Sequence, residues 1–242
     1  MNNYVTFCDS SYCAFLFINL YSLSKQIKEK CNLIIYSLDK RLPLIINKWS
    51  LKNINIEIQY IDKIKDQRLN LMKENRPYKF YCWGLSPFVI NDALKRLKQP
   101  IIYLDTDLIF NNDPNEYLGK RHEDINNKIL LTPHFYENLS SSSARHGKFC
   151  IQFMRFSYNK SVLDIVSEWA NRCYINSGID LDNNVFGDQL YLDEWPDKYP
   201  DRVYIEENSS LFVGPWNTKS FLKEKTLMVH LHSAIPIKII NF

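Results

Sequence analysis

Ile101-Ile-Tyr-Leu-Asp-Thr-Asp-Leu-Ile-Phe110 is an apolar run interrupted at its centre by an acid, a threonine and a second acid. The four apolar residues that follow Pro100 have the length and composition of a strand buried on both faces. Strand alternation puts Asp105 and Asp107 on one side and Thr106 on the other. Two carboxylates at a strand terminus suit a hard divalent cation, which takes oxygen ligands and leaves positions open for phosphate oxygens. Such a cation stabilises a departing diphosphate. The pattern alone is weak, because a chain this rich in aspartate produces acid-x-acid pairs by chance. A second pair, Asp180-Leu-Asp182, sits in a turn-rich stretch rather than at the end of an apolar run. The competing reading of Asp105 and Asp107 is two solvated acids ahead of the Asn111-Asn-Asp-Pro114 turn.

Working back toward the N-terminus, Tyr4 to Cys8 reads as a short strand that stops at Asp9-Ser10-Ser11. Leu16, Leu20, Leu23 and Ile27 then recur with helical spacing. Leu33 to Leu38 is a second buried strand. A third follows in Ile54, Ile56, Ile58 and Tyr60, which alternate with Asn55, Glu57 and Gln59. The charged stretch 62–75 predicts loop and a short helix. Trp83 to Leu97 predicts one helix with Ile90, Ala93, Leu94 and Leu97 on one face. This alternation of strands and helices predicts an α/β fold with a mostly parallel sheet flanked by helices. Ligands of such sheets bind beyond the carboxyl ends of the strands. Asp9 and the acids at 105–107 therefore belong to one edge.

The second half is more mixed. Ile129 to Thr132, Phe149 to Phe156, Val203 to Ile205 and Leu227 to Leu231 read as strands, and Val162, Val166, Trp169 and Cys173 mark a helix. Ser140 to Ser143 has loop composition. Residues 187–195 predict a short helix stopped by Pro196.

The chain has 242 residues, 45% apolar and 24% charged, long enough to bury a full core without disulfide or metal staples. Thirty Lys and Arg against 27 Asp and Glu give a net charge of +3, and the bases are scattered along the sequence. That balance argues against a nucleic-acid partner bound by phosphate neutralisation. The six cysteines form no CxxC, and most lie in apolar runs, as buried reduced thiols do. The N-terminus lacks the basic region of a signal peptide. Cys13 to Leu20, the longest apolar stretch, is too short to span a membrane. These features predict a cytoplasmic protein. The apolar tail Ile235-Pro-Ile-Lys-Ile-Ile-Asn-Phe242 is either a last strand or a peripheral membrane contact at the inner face.

The stretch from Trp83-Gly-Leu-Ser-Pro-Phe88 to Tyr103-Leu-Asp-Thr-Asp-Leu-Ile-Phe110 resembles the GT-A nucleotide-sugar glycosyltransferases. It is most similar to bacterial relatives of glycosyltransferase family eight that act in surface-polysaccharide, lipopolysaccharide or capsule assembly. Phe7-Cys-Asp9, Leu131-Thr-Pro-His134, Gly147-Lys-Phe149, the segment from Phe186-Gly-Asp-Gln189 to Pro196, Gly214-Pro-Trp-Asn217 and His230-Leu-His-Ser233 follow in the order of that group. The resemblance implies a Rossmann-like GT-A domain over 1–242, with 1–110 as nucleotide-binding half and 111–242 as acceptor-side half. It implies a UDP-sugar donor, a glycan or glycolipid acceptor, Mn²⁺ or Mg²⁺, and retaining transfer.

Residue by residue, the resemblance gives Asp105 and Asp107 the metal and the ribose or diphosphate. The late histidines share strand parity, and His232 is favoured as third metal ligand with His230 in reserve. Phe7 and Asp9 would lie near the uracil ring; Asp9 also reads as a helix N-cap. Arg76 and Lys79 would reach the diphosphate. Gln189 would stand near the anomeric face with Asp188 on sugar hydroxyls; under inversion Asp188 would be the general base. Trp216 and Asn217 would pack on sugar or acceptor. One segment departs from the pattern: the group has Asn-Val-Gly where this chain has Cys150-Ile-Gln152.

Two other classes compete. A sugar-phosphate nucleotidyltransferase needs a Gly-rich phosphate loop after the first strand, where this chain has Asp9-Ser-Ser-Tyr12. A non-catalytic sugar-nucleotide-binding protein would keep the cleft and lose the transfer site.

Overall fold

A computed structural model describes residues 1–137 and 145–231. Strands are β1 (Asn3–Cys8), β2 (Cys31–Ser37), β3 (Ile54–Tyr60), β4 (Ile101–Leu104), β5 (Leu108–Phe110), β6 (Ile129–Pro133), β7 (Phe149–Phe156), β8 (Ile179–Asp180), β9 (Val185–Phe186), β10 (Val203–Ile205), β11 (Phe212–Val213) and β12 (Met228–His230). Helices are α1 (Cys13–Gln26), α2 (Leu42–Ile46), α3 (Gln67–Asn75), α4 (Tyr78–Trp83), α5 (Ser86–Leu97), α6 (Pro114–Lys120), α7 (His122–Ile125), α8 (Lys160–Ile175) and α9 (Trp195–Lys198). The serine run 140–143, His232 and the tail from Ile235 lie outside the described residues.

The main sheet has the order β10-β6-β7-β4-β1-β2-β3. β1 runs parallel to both β2 and β4, while β7 is antiparallel to β4 and β6. The chain winds outward from β1 through β2 to β3, then crosses back to lay β4 on the other side of β1. The carboxyl ends of β1 and β4 thus flank the point where the winding reverses, the place where open α/β sheets bind ligands. This is the α/β arrangement of the GT-A fold that the sequence predicts.

Alternation distributes side chains to two cores. Ile101 and Tyr103 of β4 join Phe88, Ile90, Leu94, Val166 and Trp169 beneath α5 and α8, while Ile102 and Leu104 join Leu16, Leu20 and Leu23 of α1. Burying each of those α1 leucines contributes about 2 kcal/mol. A small sheet of order β11-β12-β5 covers the α1 side.

Two expectations need correction. The single helix over Trp83 to Leu97 is two helices broken at Gly84. A Cβ there would stand 2.5 Å from Met72 Cε and 2.9 Å from Ser177 Oγ, so a larger residue would have to displace those side chains, and Pro87 then starts α5 from its first turn. Pro196 does not stop a helix; it occupies the first turn of α9. None of the six cysteines is disulfide-bonded. Among the described residues, no helix is long and apolar enough to cross a membrane.

Candidate active site

Two adjoining cavities open at the carboxyl ends of β1 and β4. The outer one, about 470 Å³, is lined by Phe7, Asp9, Tyr12, Tyr78, Lys79, Asp105 and Asp107 among others. The inner one, about 240 Å³, adds Ser86, Ile151, Phe186, Asp188 and Gln189. Phe7, Cys82, Trp83, Tyr103 and Asp105 border both, so the two form one cleft.

Asp105 follows the last residue of β4. Its amide N–H donates to the Gln152 carbonyl at 3.0 Å, and the buried Asn19 of α1 donates to its carbonyl at 2.9 Å. Tyr103, two residues earlier on the same strand face, donates its hydroxyl to Asp105 Oδ1 at 3.1 Å. Burial pushes the Asp105 carboxyl up to about 8, with the charges of Asp107 and then Asp188 adding to it. A carboxylate crowded by two others in a low-dielectric wall lacks a counter-charge.

His230 reaches this point through strand pairing. β12 runs antiparallel to β5 with His230 opposite Leu108, and the Leu231 N–H donates to the Asp107 carbonyl at 2.7 Å. His230 Nε2 lies 3.2 Å from Asp107 Oδ2. Among the described residues, no group of three or more His, Cys, Asp or Glu is close enough to hold a metal ion by itself. The donor set still fits a hard cation, since Mg²⁺-like ions take one or two carboxylates and complete their shell with water and phosphate oxygens.

Asp188 sits between β9 and the turn that follows it, with its backbone carbonyl fixed by the Trp169 indole N–H at 2.8 Å. Burial pushes its carboxyl up to about 7, against the opposing hydrogen bond from Ser86. Gln189 Nε2 donates to the His146 carbonyl at 2.8 Å. The His146 ring stacks on Phe186, whose ring lies 5.5 Å from that of Trp83.

At the other end of the cleft, Asp9 accepts from Tyr78 Oη at 2.7 Å and from the Ser11 amide at 2.8 Å. Desolvation raises its carboxyl, but the bonds from Ser11 and Tyr78 outweigh that and hold it below the ordinary carboxylate value. Asp9 is therefore the N-cap of the following turn and a cavity wall at once. Lys79 holds its ammonium 4.4 Å above the Trp83 ring.

Two of the residues assigned to donor or acceptor contact are engaged elsewhere. Arg76 does not line the cleft: its guanidinium donates to the Cys173 carbonyl and Ser177 Oγ, both at 2.7 Å, and to the Tyr174 carbonyl, closing the C-terminal turn of α8. Asn217 is fully buried. Its side-chain oxygen accepts from the Gly214 N–H at 2.7 Å and its Nδ2 donates to the Phe212 carbonyl at 2.9 Å, so it brackets a turn. That turn delivers Trp216, whose ring meets His134 edge-on at 4.7 Å and lies 5.6 Å from His230. His134, kept neutral by burial that lowers it to about 4, stacks in turn on Tyr136.

The departure Cys150-Ile-Gln152 lies in an irregularity of β7. Thr132 pairs with Cys150 while Leu130 pairs with Arg155, and the Thr132 hydroxyl bonds the Cys150 and Phe153 carbonyls across the extra residues. The bulge places Ile151 in the wall of the inner cavity. Sequence reasoning missed Tyr78, Ser86, Tyr103, Phe186 and His146. Of these, Tyr103 carried a signal, its strand parity with Asp105.

No protein-family model matches this chain. Among curated proteins it is similar to two uncharacterized proteins of Bacillus subtilis. YfnD is 24% identical over 66% of this chain and 52% of its own length; YfnF is 22% identical over 86% and 72%. The chain thus spans about half the length of the first. Among solved structures it is similar to mouse xyloside xylosyltransferase 1 in its apo form, with a TM-score of 0.61 at 14% identity, covering 95% of this chain and 97% of the other. The shared feature is the GT-A fold.

Proposed function

We propose that this chain is a metal-dependent glycosyltransferase that moves a sugar from a UDP-sugar to a glycan or glycolipid acceptor, with retention, in bacterial surface-polysaccharide assembly. The observation that carries this reading is the convergence of Asp105, Asp107, His230 and Asp188 on one cleft at the reversal point of a GT-A sheet. Residues 1–110 form the nucleotide half in this reading and 111–242 the acceptor half. We assign it to the cytoplasm, peripheral at the inner face of the membrane, where nucleotide sugar and membrane-borne acceptor meet.

Asp105, Asp107 and one late histidine would hold the cation, Mn²⁺ or Mg²⁺. His230 supports this reading by lying 3.2 Å from Asp107 Oδ2, and His232 lies outside the described residues. When bound, the cation neutralises the leaving diphosphate. Phe7 and Asp9 take the nucleoside end, and Lys79 supplies positive charge along the diphosphate. The sugar occupies the inner cavity, where Ile151, Phe186 and Trp83 exclude water. Asp188 accepts hydrogen bonds from sugar hydroxyls, and Gln189 lies beside the anomeric carbon.

The test is calorimetry of UDP with Mn²⁺ on the Asp105→Ala and Asp107→Ala proteins. The reading expects loss of metal-dependent UDP binding in both. Wild-type affinity in both variants overturns it.

A further inference from the structure

Helix α1 is apolar on two faces. Leu16, Leu20 and Leu23 are buried, yet Phe17, Ile18 and Tyr21 point outward with 37–40% of their surface exposed. A surface helix ordinarily turns polar residues to water. Phe17 stacks on Tyr21 at 5.9 Å and meets Trp49 edge-on at 5.1 Å. Trp49 follows α2, whose Leu44 is 67% exposed. Phe17, Tyr21 and Trp49 thus form one ring cluster at the surface, with exposed Ile18 on the same helix and exposed Leu44 on α2.

Charge is concentrated on the same segment. Residues 12–52 hold seven bases and two acids, a net +5 in a chain of net +3, so the remainder is net negative. One of the two acids, Asp39, is already bonded to the backbone N–H groups of Ser10, Arg41 and Leu42. Of the seven bases, Lys28 is ion-paired with Glu116, and the others include exposed groups next to the apolar residues in space or in sequence. Lys25 lies 5.0 Å over the Tyr21 ring, exposed Lys40 and Arg41 lead into α2, and exposed Lys48 and Lys52 flank Trp49.

We propose that this face seats on an anionic lipid surface. Ring-bearing side chains with lysines at their edge match the headgroup boundary, where amphipathic rings enter and cations meet lipid phosphate. A second copy of this chain would bring the same positive charge against itself, which disfavours it as occupant. The assignment does not need the transferase reading, although Tyr12, half-exposed at the start of this face, also lines the outer cavity. A seated protein would therefore hold the mouth of its cleft beside the bilayer.

The test is flotation of the full chain with vesicles of phosphatidylcholine alone, or of phosphatidylcholine with one third phosphatidylglycerol. The proposal expects binding to the anionic vesicles, about tenfold weaker in high salt, and little binding to the neutral ones. Phe17→Ser with Ile18→Ser, and separately Lys25→Glu with Lys48→Glu, should each remove binding while thermal melts show a folded chain. The charge variant keeps the test valid if the apolar one does not fold. Equal binding to both vesicle types, no binding, or unchanged binding in the variants overturns the proposal. So does binding lost only on deleting residues 235–242, or a concentration-dependent dimer that Phe17→Ser dissolves.

Discussion

The chain contains Asp-x-Asp twice, and the two copies share nothing but spelling. Asp105 and Asp107 stand where β4 ends against β1, enclosed by Tyr103, Asp188 and His230. Asp180 and Asp182 lie in a partly exposed turn, where Asp180 accepts from the backbone and side chain of Asn183. In the first copy the carboxylates repel each other in a poorly solvated wall, and burial and the neighbouring acids push Asp105 upward. In the second, water and a local amide satisfy them. A motif acquires its surroundings from the sheet edge it terminates, and substitutions in the two pairs should differ accordingly.

The largest effect should come from neutralising the first pair. Asp105→Asn or Asp107→Asn should lower transfer from a UDP-sugar by about a hundredfold or more, the scale of losing a group that stabilises developing charge. Asp182→Asn should leave the rate within about twofold. Steady-state transfer assays on all three proteins decide it. A comparable loss in the Asp182 variant would erase the distinction between the two pairs.

The same enclosure has a stability consequence of opposite sign. Asp105, at about 8, and Asp188, at about 7, are raised above the ordinary carboxyl value near 3.9. In the metal-free protein they keep protons that the unfolded chain releases, so their contribution is fully present below about pH 4. It is lost as pH rises through 7 and 8. Asp105→Asn should therefore raise the melting temperature of chelator-treated protein at pH 8 by about 3–6 °C, on the order of 1–2 kcal/mol, and by much less at pH 5. Mn²⁺ with UDP should stabilise the wild type and not the variant. Melts at both pH values, with and without chelator, sharpen the comparison; an unchanged melt at pH 8 would break it.

The physical reach of each signal explains what could be read from the sequence. Strand parity and helical spacing act over a few residues. They place β1 to β4, β7 and α8 and put Asp9 on the same edge as Asp105. His230 reaches Asp107 through the pairing of β12 with β5, more than a hundred residues apart, and no local pattern encodes that register. Arg76 and Asn217 mislead for a related reason. Their polar groups are bonded to carbonyls and amides that only the folded chain supplies. The close packing of Met72 and Ser177 on Gly84 likewise comes from other elements.

A smaller loss is expected at Gly214. A Cβ there would lie 2.3 Å from the Trp216 indole, so Gly214→Ala must push the ring off His134 and His230. Overpacking of this kind costs about 1–3 kcal/mol. The displaced indole should change the tryptophan emission, and transfer should fall less than in the Asp105 variant. An unchanged emission spectrum would show that Trp216 is not held by this turn.

The smallest effect belongs to the second acid pair itself. Asp180→Ala removes the acceptor for the Asn183 amide at 3.3 Å and for its side chain at 2.9 Å. The turn has other anchors: Gly187 N–H donates to the Gly178 carbonyl at 2.8 Å, and Tyr191 Oη donates to the Asn176 carbonyl at 2.7 Å. Loss of one cap-like acceptor at a partly exposed site should cost about 0.5–1 kcal/mol, a fall of about 1–4 °C in the melting temperature. It should leave UDP affinity and transfer where they are. Because β9 leads from this turn directly into Gly187 and Asp188, a drop in transfer larger than the drop in stability would mean that the turn positions Asp188 as well. The two acid pairs would then be mechanically linked rather than merely alike in sequence.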